Sequence, residues 1–177
     1  MAIVAAQSFA RAGGGTAQSA DQMGGQAVAA PRGPAPDISN MSPQERASRL
    51  YDRMMSAFEA GHMDTVRMFA PMATGAYEML DSLTLDDRYD LGRIAEISGA
   101  LPLAAAQADT ILQSNPDHLL GLILAAQVAH SRNDLTGERQ YLGRLLKAAP
   151  AEEARNRPEY REHQHDITAA LEAARKR

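Results

Sequence analysis

The chain has 177 residues, a net charge of −4 and an apolar share of 45%, a length that carries one domain with its own core and does not require a second. Its 18 basic and 22 acidic residues are mixed along the chain and it has no cysteine. This excludes disulfides, thiolate metal sites and cysteine nucleophiles, and it leaves no cluster of Lys and Arg to draw a nucleic acid. Alanine, leucine and methionine dominate the apolar residues while β-branched strand formers are few, so the composition predicts an all-α fold.

The first segment, residues 1–40, is made of Ala, Gly, Gln, Ser and Pro, with Gly13-Gly14-Gly15, Gly24-Gly25 and PRGPAP at 31–36. It shows neither helical nor strand periodicity and is expected to be a disordered or extended arm, with the folded domain over 41–177. Its opening MAIVAAQSFARA lacks the leading charge and the 7–15-residue apolar run of an export signal, so a cytoplasmic location is expected, peripheral to a membrane complex if the chain serves one. A signal lying upstream would make it periplasmic. No run approaches the ~20 apolar residues that span a bilayer.

Order is predicted to begin at Ser42-Pro43-Gln44-Glu45, which places Ser at N-cap, Pro at N1 and Glu at N3 of a helix. Ala47, Leu50, Met54, Ala57 and Phe58 give it an apolar stripe, and Gly61 ends it. A second helix is expected from about 65 to 80, bent or split by Pro71 and Gly75. A third runs from about 85 to 98 and stops at Gly99, and a fourth ends before Asn115-Pro116. The fifth spans about 117–131 and breaks at Asn133-Asp134. The sixth is expected to stop at Ala149-Pro150, and one last helix to start at Pro158 with Tyr160, His163, Ile167, Leu171 and Ala174 on its apolar side.

Two landmarks in this series recur at the same offset of 34 residues, Gly99 to Asn133 and Pro116 to Pro150. A period of this size carried by helix–turn–helix units marks a helical repeat. Leu91-Gly92, Ala104 and Pro116, followed one unit later by Ala125-Ala126, Leu142 and Pro150, resemble the tetratricopeptide repeat family and the small bacterial proteins built from it. Glu138 departs from that pattern, standing where the family prefers a small residue. Small residues at 92, 95, 126 and 129 suit close helix approach. An upstream unit anchored on Gly61 matches more weakly and needs about four extra residues. The resemblance implies an antiparallel helix-pair solenoid of about three such repeats with a C-terminal capping helix, covering residues 42–177.

In proteins of this family the first helix of each unit lines a concave groove that holds a partner peptide or helix. Carried onto this chain, the resemblance implies a groove made by Tyr51, Met55 and Phe58, by Tyr89, Arg93 and Glu96, and by Ile123, Gln127 and His130. Tyr89 and Arg93 lie four apart and share a helix face. They are expected to form the energetic centre of that surface, and their joint replacement by Ala to spare folding.

Reactive groups are sparse. Of the five His, His163 and His165 stand two apart, too divergent on a helix to share an ion, and His163 is expected to cap the apolar stripe. Asp86, Asp87 and Asp90 lie at a helix start, where the helix dipole accounts for acidic residues. Met54, Met55, Met63, Met68, Met72 and Met79 are expected to fill an alanine-rich core, Met55 excepted. Neither a nucleophile motif nor a phosphate-binding loop is present. The sequence therefore predicts no enzyme, no cofactor and no metal. It predicts a protein-binding adaptor or scaffold, the alternative being an accessory structural subunit of a larger, membrane-associated or soluble assembly.

Overall fold

The computed structural model describes residues 40–176, so the expected N-terminal arm lies outside the described residues. Among the described residues the protein is all-helical. Its elements are α1 (Pro43–Glu59), α2 (Met63–Glu78), α3 (Leu85–Ile97), α4 (Leu101–Ser114), α5 (Leu119–Ser131), α6 (Leu135–Glu153), α7 (Pro158–Glu162) and α8 (Gln164–Arg175). No helix there is long and apolar enough to cross a membrane.

The helices pack in adjacent pairs: α1 on α2, α3 on α4 and α5 on α6. Each pair turns through three residues, 60–62, 98–100 and 132–134. The central residue of each turn is left-handed, with φ of 73° at Gly61, 84° at Gly99 and 59° at Asn133. The same hydrogen bond closes all three: His62 N–H donates to Ala57 O at 2.8 Å, Ala100 N–H to Ala95 O at 2.7 Å and Asp134 N–H to Ala129 O at 2.8 Å. A positive φ costs glycine nothing and asparagine little, so the sequence places these turns by its choice of residue. The extra four residues of the first pair are also located. Two lengthen α2 to 16 residues against 14 in α4, and two lengthen the following connection, 79–84 against 115–118.

Successive pairs touch through α2 on α3 and α4 on α5, and the leading helices touch directly, α1 on α3 and α3 on α5. Gly92 permits the last of these. A Cβ there would overlap Leu124 Cδ2 and stand 3.3 Å from Gln107 Cβ. Helix α5 is apolar nearly all round, Leu119 to Ala126 being buried without a break, because α3, α4, α6 and α8 cover it. Each such Leu or Ile contributes about 1.5–3 kcal/mol on burial.

Two caps start helices as predicted or in the same manner. Ser42 and Glu45 form a reciprocal capping box on α1, and Thr84 with Asp87 forms another on α3. Helix α5 has no such side chain in front of it. Its Leu119 N–H is satisfied from afar, by the Tyr160 hydroxyl of α7 at 3.1 Å.

Three expectations are corrected. Pro150 lies inside α6, which runs on to Glu153 rather than stopping there, and Pro71 likewise lies inside α2 without splitting it. The turn beyond Pro150 is held by Glu152, 2% exposed, which accepts from Tyr160 Oη at 2.8 Å and Asn115 Nδ2 at 3.2 Å and pairs with Arg155 at 2.9 Å. These contacts outweigh the one helical hydrogen bond that proline removes. The segment after Pro158 is two helices, broken at His163 (φ −101°, ψ 26°).

The third correction concerns the methionines. Met54 is buried, but Met63, Met68, Met72 and Met79 are exposed, Met79 by 83%. Met68, Met72 and Met79 fall on one side of α2, at offsets of four and eleven. The core beside them is filled instead by Val66, Phe69, Ala70, Ala73 and Tyr77.

Candidate functional site

The nine residues expected to line one groove are divided by the C-terminal segment. Helix α8 packs on α5 and α6, bringing its Ile167, Leu171 and Ala174 into their core, and its first turn reaches α3. A cavity of about 380 Å³ remains between α3, α5, α6 and α8. Arg93, Glu96, Ile123, Gln127 and His130 line it, on a floor completed by Ala126 and Leu142. Tyr51 and Met55 line a separate, smaller opening of about 130 Å³ at the α7–α8 break. Phe58 and Tyr89 belong to neither.

Tyr89 requires a correction. It is fully buried, its hydroxyl donates to Asp166 at 2.7 Å, and its ring meets the His163 ring edge-on at 4.7 Å. Tyr51 is 7% exposed, with its ring 6.0 Å from the same imidazole. Both tyrosines are therefore parts of the fold in this chain, and removing Tyr89 would damage the core. Burial, with Asp90 and Asp166 nearby, also pushes both hydroxyls well above their usual range, so they are neutral donors.

The polar lining of the larger cavity is mostly paired. Arg93 bridges to Glu96 at 2.6 Å with both side chains largely buried, and His130 meets Glu138 at 3.1 Å. Glu96 also accepts the Ser131 hydroxyl at 3.0 Å, tying α3 to the end of α5. Two buried atoms in this lining have no hydrogen-bond partner, Arg93 Nε and Gln127 Oε1. Such atoms leave desolvated hydrogen-bonding capacity unused, which a bound group can recover.

A second group of polar side chains assembles where α3 meets the α7–α8 break. His163 Nε2 stands 3.0 Å from Asp86 Oδ1 and 3.3 Å from Asp90 Oδ1, and His163 Nδ1 stands 3.9 Å from Asp166 Oδ2. Burial disfavours the charged imidazole, but the two carboxylates outweigh it and lift His163 to about 10. Burial raises Asp90 to about 6, against the lowering effects of His163 and of Tyr77, whose hydroxyl donates to Asp90 Oδ2 at 2.6 Å. The helix-start account holds for Asp87, which closes the Thr84 capping box. It is incomplete for Asp86, which stands in the first turn but also meets His163, 77 residues away, and it does not describe Asp90, 73 residues from the same imidazole. Their spacing of four was the only signal of this group in the sequence. Nothing near His163 in the sequence points to these carboxylates, and a cap on the apolar stripe does not describe its contacts with them.

Compared with family models, with curated proteins and with solved structures, the chain matches none.

Proposed function

We propose that residues 41–176 are a non-catalytic protein-interaction module, built of three tetratricopeptide-like units and a C-terminal cap, that takes a short extended segment of a partner protein into the cavity between α3, α5, α6 and α8. The observation that carries this reading is the pairing, in one concavity, of an apolar floor of Ile123, Ala126 and Leu142 with orphan polar atoms on Arg93 and Gln127. An extended peptide brings apolar side chains for the floor and unpaired backbone N–H and C=O groups for the orphans. A helix satisfies its own backbone, so the extended form is the better complement. The charged groups here stand in ion pairs rather than as a nucleophile beside a base, and this favours binding over catalysis.

The test is selection of peptides from a random library on the immobilised full-length chain, followed by titration. Gln127→Ala combined with His130→Ala, both rim positions, should weaken the selected peptides at least about tenfold, or ~1.4 kcal/mol, and leave the thermal melt unchanged. Equal affinity in the double variant would move the surface elsewhere, and failure to select any peptide would end the reading.

A second reading, an accessory structural subunit of a larger assembly, draws on the exposed Phe58, Met63, Met68, Met72 and Met79 of the first helix pair. Exposed large apolar side chains, of which Met68, Met72 and Met79 share one side, favour a standing contact with another protein. It requires stoichiometric co-purification that survives high salt, which an adaptor with a peptide-sized cavity would not show.

A further inference from the structure

We propose that Asp86, Asp90 and His163 form a binding site for a divalent transition-metal ion, of which zinc(II) is the type. The three ligand atoms, one carboxylate oxygen from each Asp and the imidazole Nε2, all lie within 4.8 Å of one another. Two edges of that triangle are 3.0 and 3.3 Å. Zinc bonds of about 2.0–2.2 Å at tetrahedral angles place neighbouring donors about 3.3–3.6 Å apart, so the group needs only a small expansion to take an ion.

An ordinary ion pair does not require what surrounds these atoms. Asp90 is 5% exposed, and its two oxygens are unequal: Oδ2 accepts the Tyr77 hydroxyl, whereas Oδ1 faces the group and receives no hydrogen bond. That buried oxygen, 3.3 Å from His163 Nε2, is thus the one left to serve as a ligand atom. The imidazole is set in the same way. Its Nδ1 faces Asp166 Oδ2, which is in turn fixed by the Tyr89 hydroxyl, and Nε2 is left for the ion. A carboxylate behind a histidine and a hydroxyl behind a carboxylate are the outer partners that orient metal ligands.

The elements supply the rigidity. Asp86 and Asp90 are one turn apart on α3, so both carboxylates leave the same face, and the Tyr51 and Tyr89 rings both pack edge-on against the imidazole. Asp86 is the most accessible of the three ligands, and the small opening lined by Tyr51, Met55, Glu59 and Glu162 reaches His163 from solvent. That opening brings solvent to the His163 imidazole, one of the three ligands. On binding, the proton shared between the imidazole and the carboxylates passes to solvent. One nitrogen with two carboxylate oxygens suits zinc(II) better than the all-oxygen preference of magnesium.

The experiment uses the full-length chain, stripped with a chelator and titrated with zinc chloride by calorimetry near neutral pH, with thermal melts alongside. Expected are one ion per chain at micromolar affinity or tighter, and a melting temperature raised by zinc. Magnesium should bind at least tenfold more weakly. Asp86→Asn, at a partly exposed position that leaves the core intact, should weaken zinc at least tenfold while the circular dichroism stays that of the parent. His163→Ala, which also removes a packed ring, should weaken zinc at least as much, and His62→Ala and His165→Ala should have no effect. Absence of both heat and melting shift at millimolar zinc overturns the site, as does undiminished binding in Asp86→Asn. Equal affinity for magnesium overturns the assignment of imidazole as a ligand.

Discussion

Gly92 and Gly143 both sit inside helices, and the space above them differs. A methyl group on Gly92 meets Leu124 and Gln107, whereas one on Gly143 meets nothing within 4 Å. Gly92→Ala should therefore cost about 1–3 kcal/mol through overpacking against a fully buried leucine. Gly143→Ala should stabilise by about 0.5–1 kcal/mol, since only the helical backbone entropy changes. Denaturant midpoints of the two variants read the contrast directly, and a similar loss in both would refute the tight α3–α5 contact. His118 offers a second residue-scale test. It is fully buried, with its ring against Tyr160 and Nε2 3.4 Å from Glu159. Burial holds it below the usual 6.5, in spite of the raising effect of Glu159. The folded form therefore resists a proton that the unfolded chain accepts, so the stability His118 allows is complete above 6.5 and falls as the pH drops below it. The slope is at most about 1.4 kcal/mol per pH unit. Urea midpoints at about pH 7 and about pH 5 should diverge more in the parent than in His118→Gln, and equal declines would assign the acid sensitivity to other groups.

At the scale of elements, the helix starts and turns were legible because they depend on local chemistry. Ser42 with Glu45 caps α1, and Gly61, Gly99 and Asn133 take up positive φ, each within a few residues of the backbone it serves. The failures have the opposite character. Pro150 reads locally as a stop, and only the distant partners of Glu152 carry the helix past it. The start of α5 is likewise completed by Tyr160, 41 residues further along. Tyr160→Phe removes the partner of Leu119 N–H and one partner of Glu152 while keeping the ring. It should cost about 1–3 kcal/mol, with amide exchange accelerating first at the start of α5 and the end of α6. Exchange quickening evenly over the whole chain would show that the hydroxyl does not hold those two ends.

Among the described residues of the molecule two apolar clusters share α3 as a wall. Leu91 and Ile94 face the first pair, α1 and α2, while Tyr89 and Ala95 belong to the larger cluster that extends to α8. Repeat spacing made the order of helices readable, and the resemblance to the repeat family pointed to Ile123, Gln127 and His130, which line the cavity. The cover over Tyr51 and Tyr89 was not readable, because the return of α8 to α3 joins residues 77 apart and no periodicity records it. Ile167→Ala, deep in the larger cluster, should cost about 2–5 kcal/mol. Because α1 and α2 have their own cluster, that loss should lower the exchange protection of α3 to α8 more than that of α1 and α2.

The ties of His163 and Asp166 to α3 also decide how the protein would behave under load. Pulling on residues 41 and 176 would transmit force through the α3–α8 clasp before it reached the helices between them, since those contacts close the chain from α3 to α8 into a loop. The pair α1–α2 lies outside that loop and is joined to it by the Tyr77 hydroxyl on Asp90, by Gln44 on Asp87 and by the Tyr51 ring against His163. A single-molecule extension trace should therefore show a short first rip from the amino end, then a larger one when the clasp opens. Asp86→Asn should lower the force of the second event and leave the first where it was.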